Sequence, residues 1–513
     1  MKVIEFFINA RYFSTEDYKS FGKYLTSPFF NSMKSQLLVY RIIKKEQQLL
    51  KLNKYDALKD IIHNKTGYTE NTIKKIIASL NEKYIEYAKL QSFKTDDYHN
   101  EYLFCKYLLT KGNYRLLQDR VVILDSILSA AENFDHDYFL KMFEVNTLKY
   151  SIISSIEEKF KTIPKLDKQK HYTLESSRNI MVFTLSKVTI NYINYVLQCK
   201  SHFKKKNEAY TVNLEKLFVV VNTHEYNSYN KMQQSIINML YKFYKLYSNP
   251  LNDENYNDCK TYFERIKDDI GIELQKTYHN ILLTYCYMRQ RLGDKDNVYF
   301  TEALKNSYDF ITYGYYKNGN TKYLHPVLFR NFVSQCTKPS NKSILKKVIK
   351  KHANKIHPLE KDLMTKFSYA HLYYLEGKYD LVIGNCETLK NPKAFYRYDI
   401  NNLLIKTNYA LGRYEEIRET LHNYKAFIKN DKVFTENDKE RYYYFIDRMN
   451  ELNNCHNSYV DDEDIFVFEF LLNNINKKAS FVMKNWITEK VKEAISTHYK
   501  THKKKGINLR ARK

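Results

Sequence analysis

Glycine and proline are nearly missing from this chain, at 11 and 7 of 513 residues. Sandwiches, barrels and α/β folds need both residues at their many turns, so this composition excludes them. The prolines stand at 28, 164, 250, 326, 339, 358 and 392, leaving 29–163 and 393–513 free of them. Proline lacks the N–H donor and clashes with the preceding helical turn, so long proline-free stretches suit helices. Cysteine is scarce too. Its seven positions (105, 199, 259, 286, 336, 386, 455) are odd in number, scattered, and contain no C-x-x-C pair. Neither a disulfide framework nor a structural zinc site is expected, and buried thiols in a reducing compartment are. Long apolar runs are lacking, so no transmembrane segment is expected. Glu5 and Arg11 interrupt the apolar opening MKVIEFFINARYF, so no secretory leader is expected either, and the localisation read from this is cytoplasmic.

The signatures of catalysis are also missing. There is no glycine-rich phosphate loop and no H-E-x-x-H. The carboxylate pairs Glu157-Glu158 and Glu415-Glu416 read as surface charge on helices. His498 and His502 stand one helical turn apart, but no third ligand is evident and the flanks are cationic, so no metal is assigned. The chain is therefore read as not an enzyme, with no cofactor.

What is present is enough apolar residue, 43%, for a large interior. A chain this long splits into domains or grows as a repeat array. Ser14, followed by Asp17, marks a helix start that should run towards Leu25 and stop at Ser27-Pro28. A later helix starts at Thr69, with Ile73, Ile76, Ile77, Leu80, Tyr84 and Tyr87 on one 3.6-residue face. Further breaks fall near 111–113, 164–170, 204–207, 248–253 and 292–294, giving segments of roughly 12 to 20 residues. No strand-like alternation is visible. The fold class is all-α.

The clearest repeat is late. Tyr369-Ala370-His371-Leu372-Tyr373-Tyr374-Leu375-Glu376-Gly377-Lys378-Tyr379 parallels Leu404-Ile405-Lys406-Thr407-Asn408-Tyr409-Ala410-Leu411-Gly412-Arg413-Tyr414. Gly377 and Tyr379 recur as Gly412 and Tyr414, 35 residues on. The pattern is similar to that of TPR hairpins, where glycine turns one helix into the next and tyrosine packs on the partner. Second helices are predicted over Tyr379–Leu389 and Tyr414–Ile428. Pro326, Pro358 and Pro392 are spaced as inter-repeat turns. The pattern departs from TPR where Val382 and Ile417 stand at small-residue positions, and where Ile405 replaces Ala370. The resemblance covers roughly 275–450 and implies a TPR-like α-solenoid of antiparallel hairpins.

The stretch Ser27-Pro28-Phe29-Phe30-Asn31, with the capped helix before it and Gly67-Tyr68 after it, resembles the opening of a group of uncharacterised bacterial helical-repeat proteins. That group implies a fold and no activity. The chain is read in four segments: an N-terminal helical subdomain (1–98), degenerate hairpins (99–270), TPR-like repeats (271–455), and C-terminal helices with a basic tail (456–513). The last opens with an acidic break, Asp461 to Asp464, and ends in Lys500, Lys503, Lys504, Lys505, Arg510, Arg512 and Lys513.

Charge supplies the only local functional signal. The formal net charge is +25, which favours polyanions. Lys, Asn, Ile and Tyr are abundant together, the set that AT-rich codons favour, and composition alone could account for the excess. Residues 311–359, however, carry ten Lys or Arg and no Asp or Glu. Lys342, Lys346 and Lys350 repeat every four residues, as do Lys347, Lys351 and Lys355, which makes one broad cationic helical face opposite Ile344, Leu345, Val348 and Ile349. With Arg330 these are the candidate anion- or partner-binding residues. Tyr313, Tyr315, Tyr316 and Tyr323 lie upstream as stacking surfaces; the plainer alternative is a solvated outer face with tyrosines filling a groove. Two functions follow. One is a non-enzymatic scaffold binding a peptide or protein partner in a solenoid groove. The other is a nucleic-acid-associated protein using the basic face.

Overall fold

The computed structural model describes residues 5–31, 33–94, 96–130, 135–161, 165–201, 213–224, 226–293, 298–317, 323–389, 394–432, 434–457, 464–478 and 480–504. Among the described residues the chain forms 24 α-helices and no strand, with one isolated parallel bridge between Leu324 and Ile356. Contacts separate two compact units, Met1–Ala131 with Lys141–Ser176, and Glu132–Leu140 with Ser177–Lys513. Neither ends at 98, 270 or 455.

In the first unit Ser14 caps the helix Thr15–Thr26 with a full capping box. The Asp17 N–H donates to its hydroxyl, and the Asp17 carboxylate accepts from the Ser14 N–H. The helix ends at Ser27, whose extended backbone (ψ 122°) meets Pro28. The following Phe-Phe-Asn is a turn: Phe30 and Asn31 N–H groups return to the Ser27 carbonyl, Phe30 stacks on Tyr24, and Phe29 is exposed. The helix Glu70–Lys94 buries Ile73, Ile76, Ile77, Leu80 and Tyr87 against Phe6, Phe21 and Tyr40, with Tyr84 half-buried.

Several helices are longer than the sequence spacing predicts. Glu70–Lys94 and His136–Phe160 have 25 residues each, and Leu166–Ser201 has 36, so the break expected to reach Lys170 closes by Leu166. The break at 204–207 lies outside the described residues. The stretch Leu166–Cys199 has the length and hydropathy of a membrane span, alone among the described residues, and 33% of its most apolar window is buried. From Asn179 to Val196 its only charged side chain is Lys187, paired with Asp137 at 2.7 Å. Uncharged Asn, Ser, Thr and Tyr interrupt the apolar run, which is why no such segment stands out in the sequence.

The second unit is built from helices packed against their chain neighbours. Ile272–Leu292 lies on Val298–Thr312, Pro358–Leu375 on Tyr379–Glu387, Ala394–Ala410 on Tyr414–Asn430, and Glu436–Asn457 on both Tyr414–Asn430 and Asp464–Lys477. First helices of successive pairs also touch: Pro326–Gln335 meets Pro358–Leu375, which meets Ala394–Ala410. Val382 and Ile417, at positions where a small residue was expected, are fully buried; each contributes about 1.5–3 kcal/mol of apolar burial.

One turn recurs. Gly377 (φ +72°) and Gly412 (φ +68°) are left-handed, and each donates its N–H to the carbonyl three residues back. The next residue, Lys378 or Arg413, donates to the carbonyl five back, Tyr373 or Asn408. This is the Schellman closure of a helix C-terminus. Asn53 (φ +58°), Gly112 (φ +67°) and Gly314 (φ +74°) make the same two bonds. In all five a tyrosine follows two residues on: Tyr55, Tyr114, Tyr316, Tyr379 and Tyr414. Four of these open the next helix. Tyr379 packs on Tyr374, and Tyr414 stacks on His456 at 5.0 Å.

A second device repeats at 32 residues. Pro326 and Pro358 each occupy the first helical turn, where no N–H is needed. The preceding His325 and His357 each cap through Nδ1, accepting from Val327 and Leu359 at 3.3 Å. The residues before these, Leu324 and Ile356, form the isolated bridge, with the Leu324 N–H donating to the Lys355 carbonyl at 2.8 Å. Equivalent positions of adjacent repeats are thus joined. Pro164 and Pro392 lie outside the described residues.

A Cβ added at Gly412 meets no atom within 4 Å, so the glycine serves backbone conformation alone. Gly412→Ala should therefore cost about 1–2 kcal/mol, the price of a left-handed L-residue, while Gly412→Asn, the residue already used at position 53, should cost less. Urea unfolding of the two variants tests this; equal losses would show that the turn is not set by φ.

Candidate functional site

The helix Lys342–His352 follows a 3₁₀ turn at Pro339–Asn341 and buries Leu345, Val348, Ile349 and His352. Ile344, expected among them, is exposed because it lies on the edge of the apolar stripe. Lys350, Lys351 and His352 fall in the last turn, where cations complement the partial negative charge of the helix C-terminus.

All six candidate lysines are exposed, but they do not form one face. Lys342, Lys346 and Lys350 form a row towards the Gly377 turn. Lys342 Nζ lies 3.9 Å from the half-buried Glu376 carboxylate, which also holds Lys378 at 2.7 Å. Hydrogen bonding to Lys378 first, and the charges of Lys378, Lys342 and Lys346 after it, keep that carboxyl below the usual range. Lys347 and Lys351 point the other way, towards the helix Val298–Thr312. Lys355 continues their sequence spacing into the 3₁₀ turn Ala353–Lys355. Among the described residues, none of Lys346, Lys347, Lys350, Lys351 and Lys355 forms an ion pair. Nearby lysines of the same unit do, as in Lys260–Glu302 at 2.6 Å and Lys366–Asp362 at 3.1 Å.

Between the two helices lies a cleft of about 190 Å³, lined by Tyr308, Thr312, Lys347, Val348, Lys351 and His352. The Thr312 hydroxyl donates to the Tyr308 carbonyl at 2.9 Å. His352 is 8% exposed, and its Nδ1 is buried without a hydrogen-bond partner. Burial first, and then Lys355, Lys351 and Lys317, hold its imidazole below the ordinary histidine value. The four upstream tyrosines divide. Tyr315 and Tyr316 are core, with the Tyr315 hydroxyl donating to Gln275 Oε1 at 3.0 Å. Tyr313 beside Thr312, 63% exposed, and Tyr323 against His357, 47% exposed, face solvent.

Arg330 does not join the lysines. Its guanidinium is forked onto Asp399, with Nη2 2.8 Å from Oδ1, and both side chains are largely buried at 21% and 12% exposure. Burial raises the Asp399 carboxyl and Arg330 opposes it. On the same first-helix side, burial draws Lys406 down to about 8 and His371 down to about 3. A sequence cannot show this cluster, because its members lie 35 to 76 residues apart; the i, i+7 spacing of Asp399 and Lys406 on one helix is the only local trace of it.

The remaining sequence candidates are structural or lie elsewhere. Gly377, Tyr379, Gly412 and Tyr414 are the turn residues described above. His498 and His502 fall on the helix Lys484–Lys504, but their side chains, the acidic residues 461–463 and the tail from 505 are outside the described residues. Six of the seven cysteines are buried, and burial pushes Cys105 up to about 11 and Cys336 and Cys386 up to about 12, which makes them poor nucleophiles. Compared with known proteins, the chain matches no family model, no curated protein and no solved structure, so the site rests on its own geometry.

If Arg330 serves the interior, Asp399→Asn should cost about 3 kcal/mol by leaving a buried guanidinium unpaired. The double change Arg330→Met with Asp399→Leu should recover most of that. Thermal unfolding reads both; a harmless Asp399→Asn would return Arg330 to the list of free cations.

Proposed function

We propose that this chain is a non-enzymatic interaction scaffold, a TPR-like solenoid of helical hairpins that holds an acidic polypeptide partner on the Lys342–His352 helix. One observation carries the reading: exposed lysines on that helix go without carboxylate partners in a chain that pairs its neighbouring cations. Leaving like charges a turn apart is mildly destabilising; a partner that brings carboxylates or phosphates offsets that cost and gains speed of encounter. The first-helix side is a weaker choice, since Arg330 and Asp399 already neutralise each other there.

Nucleic acid is the second reading, favoured by one specific observation. The exposed rings of Tyr313 and Tyr323 flank the lysine helix and offer stacking surfaces for unpaired bases.

The test uses the full chain as bait in a lysate of the source cells, with and without nuclease, beside a variant carrying Lys346→Glu, Lys347→Glu, Lys350→Glu and Lys351→Glu. The expected result is a discrete polypeptide that survives nuclease and is lost with the variant. Loss on nuclease treatment would favour the nucleic-acid reading, and a partner retained by the variant would remove the lysine helix from both.

A further inference from the structure

We infer that the cleft between Val298–Thr312 and Lys342–His352 is a receptor for one phosphate monoester carried on a side chain of the partner, with Lys347, Lys351 and His352 as its donors. The inference rests on the scaffold reading above and deepens it.

Size decides the class of ligand first. At about 190 Å³ the cleft is smaller than the roughly 300–1,000 Å³ of sites that enclose a whole small molecule. It has room for a single anionic group whose carrier stays outside. Charge decides next. Two ammonium groups one turn apart, Lys347 and Lys351, enter the cleft unpaired. A monoester carries about −1.5 to −2 at neutral pH and presents three acceptor oxygens, against one charge for a carboxylate or a phosphodiester. It alone balances both lysines at one point.

His352 supplies the independent observation. A side chain more than nine-tenths buried, with Nδ1 lacking any partner, lines a cleft surrounded by cations. Buried polar atoms are almost always satisfied, so an unpaired one beside two free lysines marks a place where a ligand completes the set. The cations near the ring disfavour its charged form, and a bound anion reverses that field. Thr312 is not a donor, because its proton is committed to the Tyr308 carbonyl. The other row, Lys342, Lys346 and Lys350, has no cleft and already faces Glu376. Two rows of equal charge on one helix therefore differ in what they can hold.

The experiment titrates the purified full chain calorimetrically with phosphoserine blocked at both ends, with blocked serine, and with a short oligothymidylate lacking terminal phosphate. Three proteins are compared: the unmodified chain, Lys347→Ser with Lys351→Ser, and Lys346→Ser with Lys350→Ser. All four lysines are exposed, so both doubles should keep the helical circular dichroism of the parent, and each removes the same charge. Blocked phosphoserine should bind saturably and blocked serine should not. The cleft double should weaken phosphoserine by about tenfold or more, the loss of one to two charge-assisted hydrogen bonds, and the outer-row double by less than about threefold. Equal losses in the two doubles would reduce the site to a diffuse field and overturn the inference. So would tighter binding of the oligothymidylate, spread over both rows, which would point to a phosphodiester track. No partner is needed for this measurement. A failed capture with phosphoserine binding intact counts against the scaffold reading, and the converse counts against the cleft.

Discussion

The second unit depends on how a helix is made to stop and turn back. At five places a left-handed residue closes a C-terminus with the same pair of backbone hydrogen bonds, and a tyrosine stands two residues later. Each closure satisfies carbonyls that would otherwise be left bare. It also fixes the direction in which the chain leaves, so at four of the five the next helix starts at once and folds back on the one before. In a chain with only 11 glycines, four are spent on this turn. Asn53 does the same work because its short polar side chain tolerates the left-handed region.

The hairpin that carries the lysines departs from this pattern. Its first helix, Pro326–Gln335, has only 10 residues and ends without a left-handed glycine. The chain crosses to the lysine helix through the 3₁₀ turn at Pro339–Asn341, and the pair is held at its open end by the Leu324–Ile356 bridge. Before it, the Gly314 turn runs into Tyr315 and Tyr316, which are buried, and no helix follows directly. The one irregular connection in this region is where the cleft opens.

Electrostatics divides the unit in a way that total charge does not reveal. On the first-helix side Arg330, Asp399, Lys406 and His371 are drawn inside, where burial pushes each towards its neutral form and only the Arg330–Asp399 fork offsets the cost. On the second-helix side the lysines stay in water and keep their charge. Desolvation, more than composition, separates cations that hold the fold from cations that are free to meet a partner.

The sequence by itself determined the all-helical class, the Ser14 cap, the stop at Ser27-Pro28, the buried face of Glu70–Lys94, the turns at Gly377 and Gly412, and the cationic helix after Pro339. All of these are local: they follow from φ limits, missing donors and the 3.6-residue period, which act within one or two turns. The turns at Asn53 and Gly314 were equally local, and the shared tyrosine two residues later was the signal that could have found them. Tertiary structure decided the rest. It split one broad lysine face into two rows, because neighbouring residues on a helix point about 100° apart and meet different neighbours. It withdrew Arg330 by bringing Asp399 to it across 69 residues, sorted four similar tyrosines into two buried and two exposed, and set His352 beside Lys347 and Lys351 without a partner. Such outcomes depend on which surfaces lose water to one another, and that is fixed only when distant helices pack.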